Sequence, residues 1–588
     1  MKYRRLILGF LISVLITGSW AGIQSAEFYR PKKDPVISQE LQGLLSSSVD
    51  GSIYPVWVFF TDKGYHSRDA VRKGIDRAGA DISTVAMERR KRRGTVPTTP
   101  GYRDIPVSQS YKDAVLAVSG VLKLRVTTRW FNGISVNATP GGIRAIAGLP
   151  FVREVAQVHS GIRREPGNPE IDESSTLRKP AALEYGDSYA QLDQMNAIAA
   201  HEAGYSGKGV RVLMLDTGYY KDHEAIDRSR VVAEYDFIND DTNTQSEGDE
   251  TTSQNSHGTS TMSALGAAVP GKLYGPAYRC EYLLAKTEDV TQEEPVEEDY
   301  YVAGLEWGER NGADVASSSL GYIKWYDYSD MDGETPVVTR AVDRAVQLGV
   351  VVVTAAGNEN GPDTDYPYII APADADSAIS VGAVTPNGEV ASFSSLGPTY
   401  DGRMKPEVSA RGVGTWCALS GKPGRYGARS GTSLATPLVG GAAALILEAR
   451  PGWSPMRVRE ALMQTAGNAD QPNNRIGWGI IDVMKAINYG VLHTDTLEMV
   501  SRGFPNPFTE STVIEYNFPG EMDIGSGVSL KIYNIRGQLV ESKRHMSRKG
   551  VFQWDLTRSD QRDLPTGLYF YRIRAGRATQ TGKLMYIR

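Results

Sequence analysis

The chain has 588 residues, a length that suits about three or four domains. Its hydrophobic content of 41% and charged content of 23% are ordinary for globular protein, and a net charge of -5 argues against a general nucleic-acid binder. Two cysteines, Cys280 and Cys417, exclude a disulfide scaffold and a cysteine metal motif. Export would permit one bridge between them, but both lie in apolar contexts where free buried thiols are common.

Residues 1–26 read as a signal peptide. Lys2, Arg4 and Arg5 supply the positive start, and Leu6 to Thr17 an apolar core too short for a comfortable membrane span. Ser19 and Ala21, or Ser25 and Ala26, offer small-residue cleavage positions; the alternative is an uncleaved anchor. No second stretch is long enough to cross a bilayer. The chain therefore reads as exported, with no membrane span in its mature form.

Residues 27–160 read as a small α/β unit. Tyr54–Phe60, Val121–Thr128 and Trp130–Thr139 are strand candidates, Gly142–Pro150 a short amphipathic helix, and Val152–Ala156 a further strand. The basic run Glu88-Arg-Arg-Lys-Arg-Arg93 could be a processing site or a contact to an anionic surface. A solvated helix end or loop is the preferred reading of such a run. Residues 161–182 are polar, with Pro166 and Pro169, and read as a linker open to cleavage.

Residues 183–490 carry near-continuous apolar strands alternating with helices. Lys208–Gly218 and Gly349–Asn358 are buried strands, and Val302–Gly308 and Val337–Leu348 are helical. This pattern predicts a doubly wound parallel sheet, whose site lies beyond the carboxyl ends of the strands. Asp216 and Asn358 fall there. Arg429-Ser-Gly-Thr-Ser-Leu-Ala-Thr-Pro437 is a glycine turn entering an apolar helix, with Ser433 at the junction. Taken alone, Ser433 could be an ordinary N-cap. His257, in Asn255-Ser-His-Gly-Thr259, opens a helix of small residues.

Asp216-Thr-Gly218, Ser256-His-Gly-Thr259 and Ser430-Gly-Thr-Ser-Leu-Ala-Thr-Pro437, in that chain order and with Ala356-Gly-Asn-Glu359 between the last two, resemble the signatures of subtilisin-like (subtilase) serine peptidases. The resemblance implies Ser433 as nucleophile, His257 as general base, Asp216 as its orienting carboxylate and Asn358 as an oxyanion-hole donor. It implies that Ser317, Ser318, Ser319, Leu320 and Gly321, with Ala356 and Gly357, bind an extended protein or peptide substrate by strand addition. Two positions depart from the family pattern. Tyr322 replaces a second glycine, which predicts a narrower cleft, and Ser260 replaces a second histidine. No cofactor is required; a structural calcium ion is allowed by the resemblance, with Asp236-Phe-Ile-Asn-Asp-Asp241 as a candidate that lacks EF-hand spacing, and no metal ligand is assigned. The acidic stretch Glu288–Asp299 could favour basic substrates or hold a cation, with a solvated loop preferred.

The N-terminal unit carries a second resemblance. Phe131-Asn-Gly-Ile-Ser-Val136, then Ile143-Arg-Ala-Ile-Ala-Gly-Leu-Pro150, then Val152-Arg-Glu-Val155 resemble the inhibitory propeptide of these proteases, which templates folding and then occupies the cleft. Residues 491–503 read as a second linker. Residues 504–588 alternate as half-buried strands at Thr512–Phe518, Val528–Asn534, Val551–Asp555 and Gly567–Ile573, predicting an all-β sandwich. Pro505-Asn-Pro507, Ile532-Tyr-Asn-Ile-Arg-Gly-Gln-Leu-Val540, Leu564-Pro-Thr-Gly-Leu-Tyr569 and Lys583-Leu-Met-Tyr-Ile-Arg588 resemble the C-terminal sorting domain of the type IX secretion system. That implies export through the periplasm, by the type IX machinery, to the medium or the outer cell surface. The expectation is a secreted serine endopeptidase held by its own propeptide; the alternative is a catalytically silent surface or adhesion protein of the same fold.

Overall fold

The computed structural model describes residues 36–49, 51–95, 98–158, 183–247, 250, 252–290, 298–323, 326–361, 364, 366–490, 500–504, 506–518, 527–556, 564–575 and 578–587. The signal-peptide and first-linker assignments lie outside these residues. The chain divides into two compact units, residues 1–487 and 488–588.

The first unit begins with β1 (Val36–Ile37), α1 (Gln39–Ser47), β2 (Tyr54–Phe60), α2 (Arg68–Ala80), α3 (Thr84–Arg92), α4 (Gln109–Leu116), β3 (Val121–Thr128), β4 (Gly133–Ala138), α5 (Pro140–Ala147) and β5 (Val152–Gln157). The strands form one sheet in the order β1-β5-β2-β4-β3. Alternation divides its side chains between two faces. Val56, Val58, Phe60, Ile134, Val136 and Val155 pack on α1 and α5, whereas Trp57, Phe59, Val126 and Trp130 join a core shared with the following domain. The helix expected from Gly142 starts at Pro140, because Thr139 caps it through the Gly142 N–H at 3.3 Å and proline suits the first helical position.

The larger domain follows with α6 (Tyr189–Gln194), α7 (Ala197–Glu202), β6 (Arg211–Asp216), β7 (Val231–Asp236), α8 (Ser256–Gly266), β8 (Ala268–Val269), β9 (Leu273–Tyr274), β10 (Glu281–Lys286), α9 (Glu298–Arg310), β11 (Val315–Ser318), α10 (Val337–Gln347), β12 (Val351–Ala355), β13 (Ile379–Val384), β14 (Val408–Arg411), β15 (Thr415–Ala418), β16 (Tyr426–Arg429), α11 (Thr432–Ala449), α12 (Pro455–Gln464) and α13 (Val483–Ile487). Its seven-stranded sheet runs β14-β13-β12-β11-β6-β10-β7, and every pairing in it is parallel. A sheet covered on both faces needs strands apolar on both sides. Leu213 and Leu215 accordingly face α9 and α10 together with Ala316, while Ser317 faces Gly440 of α11. α11 is long and apolar enough to cross a membrane by composition, yet 89% of it is buried as a core helix of this domain.

The second unit is a β-sandwich. β17 (Val500–Phe504), β18 (Ser511–Asn517), β19 (Val528–Asn534), β20 (Leu539–Met546), β21 (Lys549–Asp555), β22 (Gly567–Ala575) and β23 (Ala578–Tyr586) form sheets of order β17-β18-β21 and β20-β19-β22-β23. All of these pairings are antiparallel. Ile514, Tyr516 and Trp554 from one sheet pack on Leu530, Ile532, Tyr571 and Ile573 from the other. The linker expected over residues 491–503 is corrected at its end: residues 500–503 already pair with β18, since the edge of that strand is satisfied by their backbone.

Candidate active site

Asp216 ends β6, Asn358 follows β12, and His257 and Ser433 each occupy the second position of a helix, α8 and α11. The parallel topology brings these ends to one edge of the sheet. His257 Nδ1 lies 2.6 Å from Asp216 Oδ1. The same carboxylate oxygen accepts the Thr217 N–H at 2.8 Å, and Oδ2 accepts the Thr261 hydroxyl at 2.8 Å. Asp216 is fully buried, so its charge is held by these donors rather than by water.

The glycines of two motifs have separate physical reasons. A Cβ on Gly258 would stand 2.2 Å from the Gly218 carbonyl oxygen, so α8 can approach the end of β6 only with hydrogen at that position. Gly431 holds φ at +142°, a left-handed conformation that a side chain would strain, and so turns the chain into α11.

Ser433 and Ser319 hold each other. The Ser433 hydroxyl donates to the Ser319 carbonyl at 3.3 Å, and the Ser319 hydroxyl donates to the Ser433 carbonyl at 2.8 Å. Asn358 Oδ1 accepts the Thr432 N–H at 2.9 Å and the Thr432 hydroxyl at 3.0 Å. Its acceptor end is thus turned to the start of α11, and the donor end of the amide is what it can offer a ligand.

Ser317 and Ser318 close β11, and Leu320 is buried in the core below α9 and α10. Ile370 fills the space beside both Gly321 and Gly357. The Ala356 carbonyl accepts the Ile370 N–H at 3.2 Å and the Gly357 carbonyl accepts the Ser395 N–H at 3.0 Å, so these two residues form a wall rather than an open hydrogen-bonding edge. The narrowing expected from Tyr322 is corrected: its ring is fully buried, packed edge-to-face on Tyr301 with centroids 5.9 Å apart, and points into the core. Ser260, which stands where the family pattern has a second histidine, donates to the Ala418 carbonyl at 3.0 Å and ties α8 to β15.

Two further expectations change. The basic run is solvated only in part: Glu88, Lys91 and Arg92 are exposed, whereas Arg89, Arg90 and Arg93 are 0%, 0% and 6% exposed and pair with Glu309 and Asp314 across the boundary between the N-terminal unit and the larger domain. Residues 291–297 of the acidic stretch lie outside the described residues, but its end is buried, with Asp299 paired to Arg125 at 2.7 Å. In the Asp236 turn, where no metal ligand is assigned, the buried Lys286 ammonium holds Asp236 at 2.8 Å and also pairs with Glu250. Both cysteines are free and buried, which pushes each thiol up to about 11.

One residue at the site, Thr261, and one contact, between the Ser319 hydroxyl and the Ser433 carbonyl, escaped sequence reasoning. Thr261 was findable, since it lies four residues after His257 on the same helix face. The Ser319 hydroxyl contact was not, because 114 residues separate it from Ser433.

The Subtilase family matches residues 207–479, the Peptidase S8 propeptide domain, Bacteroidota, matches 55–172, and the Secretion system C-terminal sorting domain matches 503–587. Subtilisin of Bacillus pumilus is 36% identical over 277 residues, covering 47% of this chain and 90% of that protein. Subtilisin E of Bacillus subtilis is 34% identical over 331 residues, covering 55% of this chain and 77% of that protein. Fervidolysin from Fervidobacterium pennivorans shares the fold at 18% identity, with a TM-score of 0.53 over 96% of this chain and 80% of that one. The chain belongs to the subtilase family and is a secreted or cell-surface serine endopeptidase made with its own propeptide and a type IX sorting domain.

Proposed function

We propose that Ser433 attacks the scissile carbonyl with His257 as its base and Asp216 orienting the imidazole. The observation that carries this is the 2.6 Å contact between His257 Nδ1 and Asp216 Oδ1. A donating Nδ1–H leaves Nε2 as the basic nitrogen of the neutral ring, the one that takes a hydroxyl proton. The Ser433 hydroxyl, resting on the Ser319 carbonyl, swings to that nitrogen as substrate enters. Its oxygen forms the bond to carbon, the proton passes to His257, and His257 returns it to the leaving amine. An acyl-enzyme remains, and water releases it by the same steps reversed.

The tetrahedral oxyanion is held by the Asn358 amide N–H and the Ser433 backbone N–H at the start of α11. Substrate lies extended along residues 317–321, with Ala356 and Gly357 as the facing wall. No cofactor takes part in these steps. Cleavage within residues 161–182 severs the propeptide from the peptidase, and the signal peptide and sorting domain take the chain through the periplasm to the type IX machinery.

The test is expression of the wild-type precursor and Ser433→Ala, followed by intact mass and casein hydrolysis. Wild type should shorten within 161–182 and cleave casein, while Ser433→Ala stays full length and inert. A processed wild type that cleaves no protein substrate would instead support the silent surface protein.

A further inference from the structure

The arginines of α3 do more than neutralise carboxylates. Arg89 donates through Nε to the Leu348 carbonyl at 3.3 Å and through Nη1 to the Glu309 carbonyl at 3.2 Å and the Ala313 carbonyl, while Nη2 pairs with the Glu309 carboxylate. Arg90 grips that carboxylate at 2.9 and 2.8 Å and is itself held from behind by Asp104 at 3.0 Å. Arg93 donates to the carbonyls of Asp314, at 3.2 Å, and Gly349, and to the Asp314 carboxylate at 2.7 Å.

The Glu309 carbonyl lies in the last turn of α9 and those of Leu348 and Gly349 just past the end of α10, while Ala313 and Asp314 lie in the turn from α9 to β11. α9 stops at Arg310 and α10 at Gln347. The last turns of a helix present carbonyls with no intrahelical partner and a partial negative charge. Two such ends lie side by side here, with Glu309 and Asp314 between them, and guanidinium groups bond to both. Gly349 completes the cradle: it has φ +93°, and a Cβ there would stand 2.9 Å from Thr95 Cγ2 of the propeptide.

The position of this cradle sets it apart from the cleft. α9 leads into the start of β11 and α10 into the start of β12, whereas Ser319 and Asn358 follow the ends of those strands. In a parallel sheet these are opposite edges, roughly 15 Å apart along strands of this length.

We infer that the peptidase carries, at the paired C-termini of α9 and α10, a guanidinium-binding socket separate from its catalytic cleft, and that the socket's occupant is the arginine face of the propeptide's own α3. The consequence is that departure of α3 from the socket limits the rate at which a cut propeptide is released. This rests on the propeptide reading above. It does not rest on the role of Ser433. Buried ion pairs are screened little by salt, so the hold should survive high ionic strength. Lysine could supply charge but not a planar fork reaching several carbonyls at once.

The experiment uses the full Ser433→Ala chain with the recognition sequence of a site-specific protease inserted between Pro166 and Pro169. After cutting, propeptide release is followed by gel filtration and by the dissociation rate after dilution. The cut parent should stay assembled at low and high salt. Arg89→Gln combined with Arg93→Gln should release the propeptide about 100-fold faster, the scale expected for breaking buried pairs. A double variant that folds, by circular dichroism, and stays docked as tightly as the parent overturns the proposal. Should the double variant not fold, Arg89→Lys decides: faster release supports the socket, and an unchanged rate overturns it.

Discussion

Thr261 and His257 share one carboxylate. The Thr261 hydroxyl donates to Asp216 Oδ2 at 2.8 Å, while His257 Nδ1 lies 2.6 Å from Oδ1, and the two residues stand one helical turn apart on α8. Thr261 therefore sets the rotation of the carboxylate that the imidazole reads. Thr261→Val should lower kcat about tenfold, since a lost hydrogen bond to a buried charge is worth about 1–3 kcal/mol. An unchanged kcat would assign Thr261 to packing alone.

Asn358 faces the start of α11 with its oxygen, at 2.9 Å from the Thr432 nitrogen. Asn358→Ala should reduce kcat about 10²–10³-fold with little change in KM, the magnitude known for such a donor in a protease of this family. Steady-state kinetics on a peptide amide check it. A loss confined to KM would place the side chain in substrate binding.

Lys63 of the propeptide is buried, with its ammonium on the Ile105 and Arg129 carbonyls at 2.8 and 2.7 Å. Burial lowers its pKa from 10.5 to about 7, against the opposing pull of Glu306. Between those values the unfolded chain holds more protons than the folded one, so this group makes stability rise as pH rises from about 7 to 10.5 and contributes no slope below that window. Urea midpoints of Ser433→Ala measured from neutral to alkaline pH should climb more steeply than those of Ser433→Ala with Lys63→Met. Parallel curves would show that Lys63 does not titrate in this window.

Cys280 and Cys417 are each fully buried, with thiols pushed up to about 11. The thiolate is the reactive form, so folded protein at neutral pH should resist alkylation by iodoacetamide and should gain two labels in denaturant. Intact mass reads both states. Labelling of native protein would mean that the α8–β15 layer around Cys417, or the start of β10 beside Cys280, opens readily.

The sequence by itself determined the chemistry and the order of the parts. Asp216, His257 and Ser433 stand in local frames, a strand end and two helix starts, whose glycines and small residues are legible without the rest of the chain. The parallel sheet was legible for a similar reason: strands such as Arg211–Asp216 are apolar on both faces, and only cover on both sides explains that. The polar edge strand β20 and the terminal β23 were not read as strands, because their alternation is weak where one face meets water. Tertiary structure decided the fate of charges and of large side chains. A basic run reads as solvated because isolated charges belong in water, yet Arg89 is buried through Glu309, a partner 220 residues downstream, and through carbonyls at the ends of two helices. Tyr322 turns into the core because Tyr301 of α9 receives its ring. Partners at such separation leave no periodic mark in the chain, so only the folded arrangement could assign them.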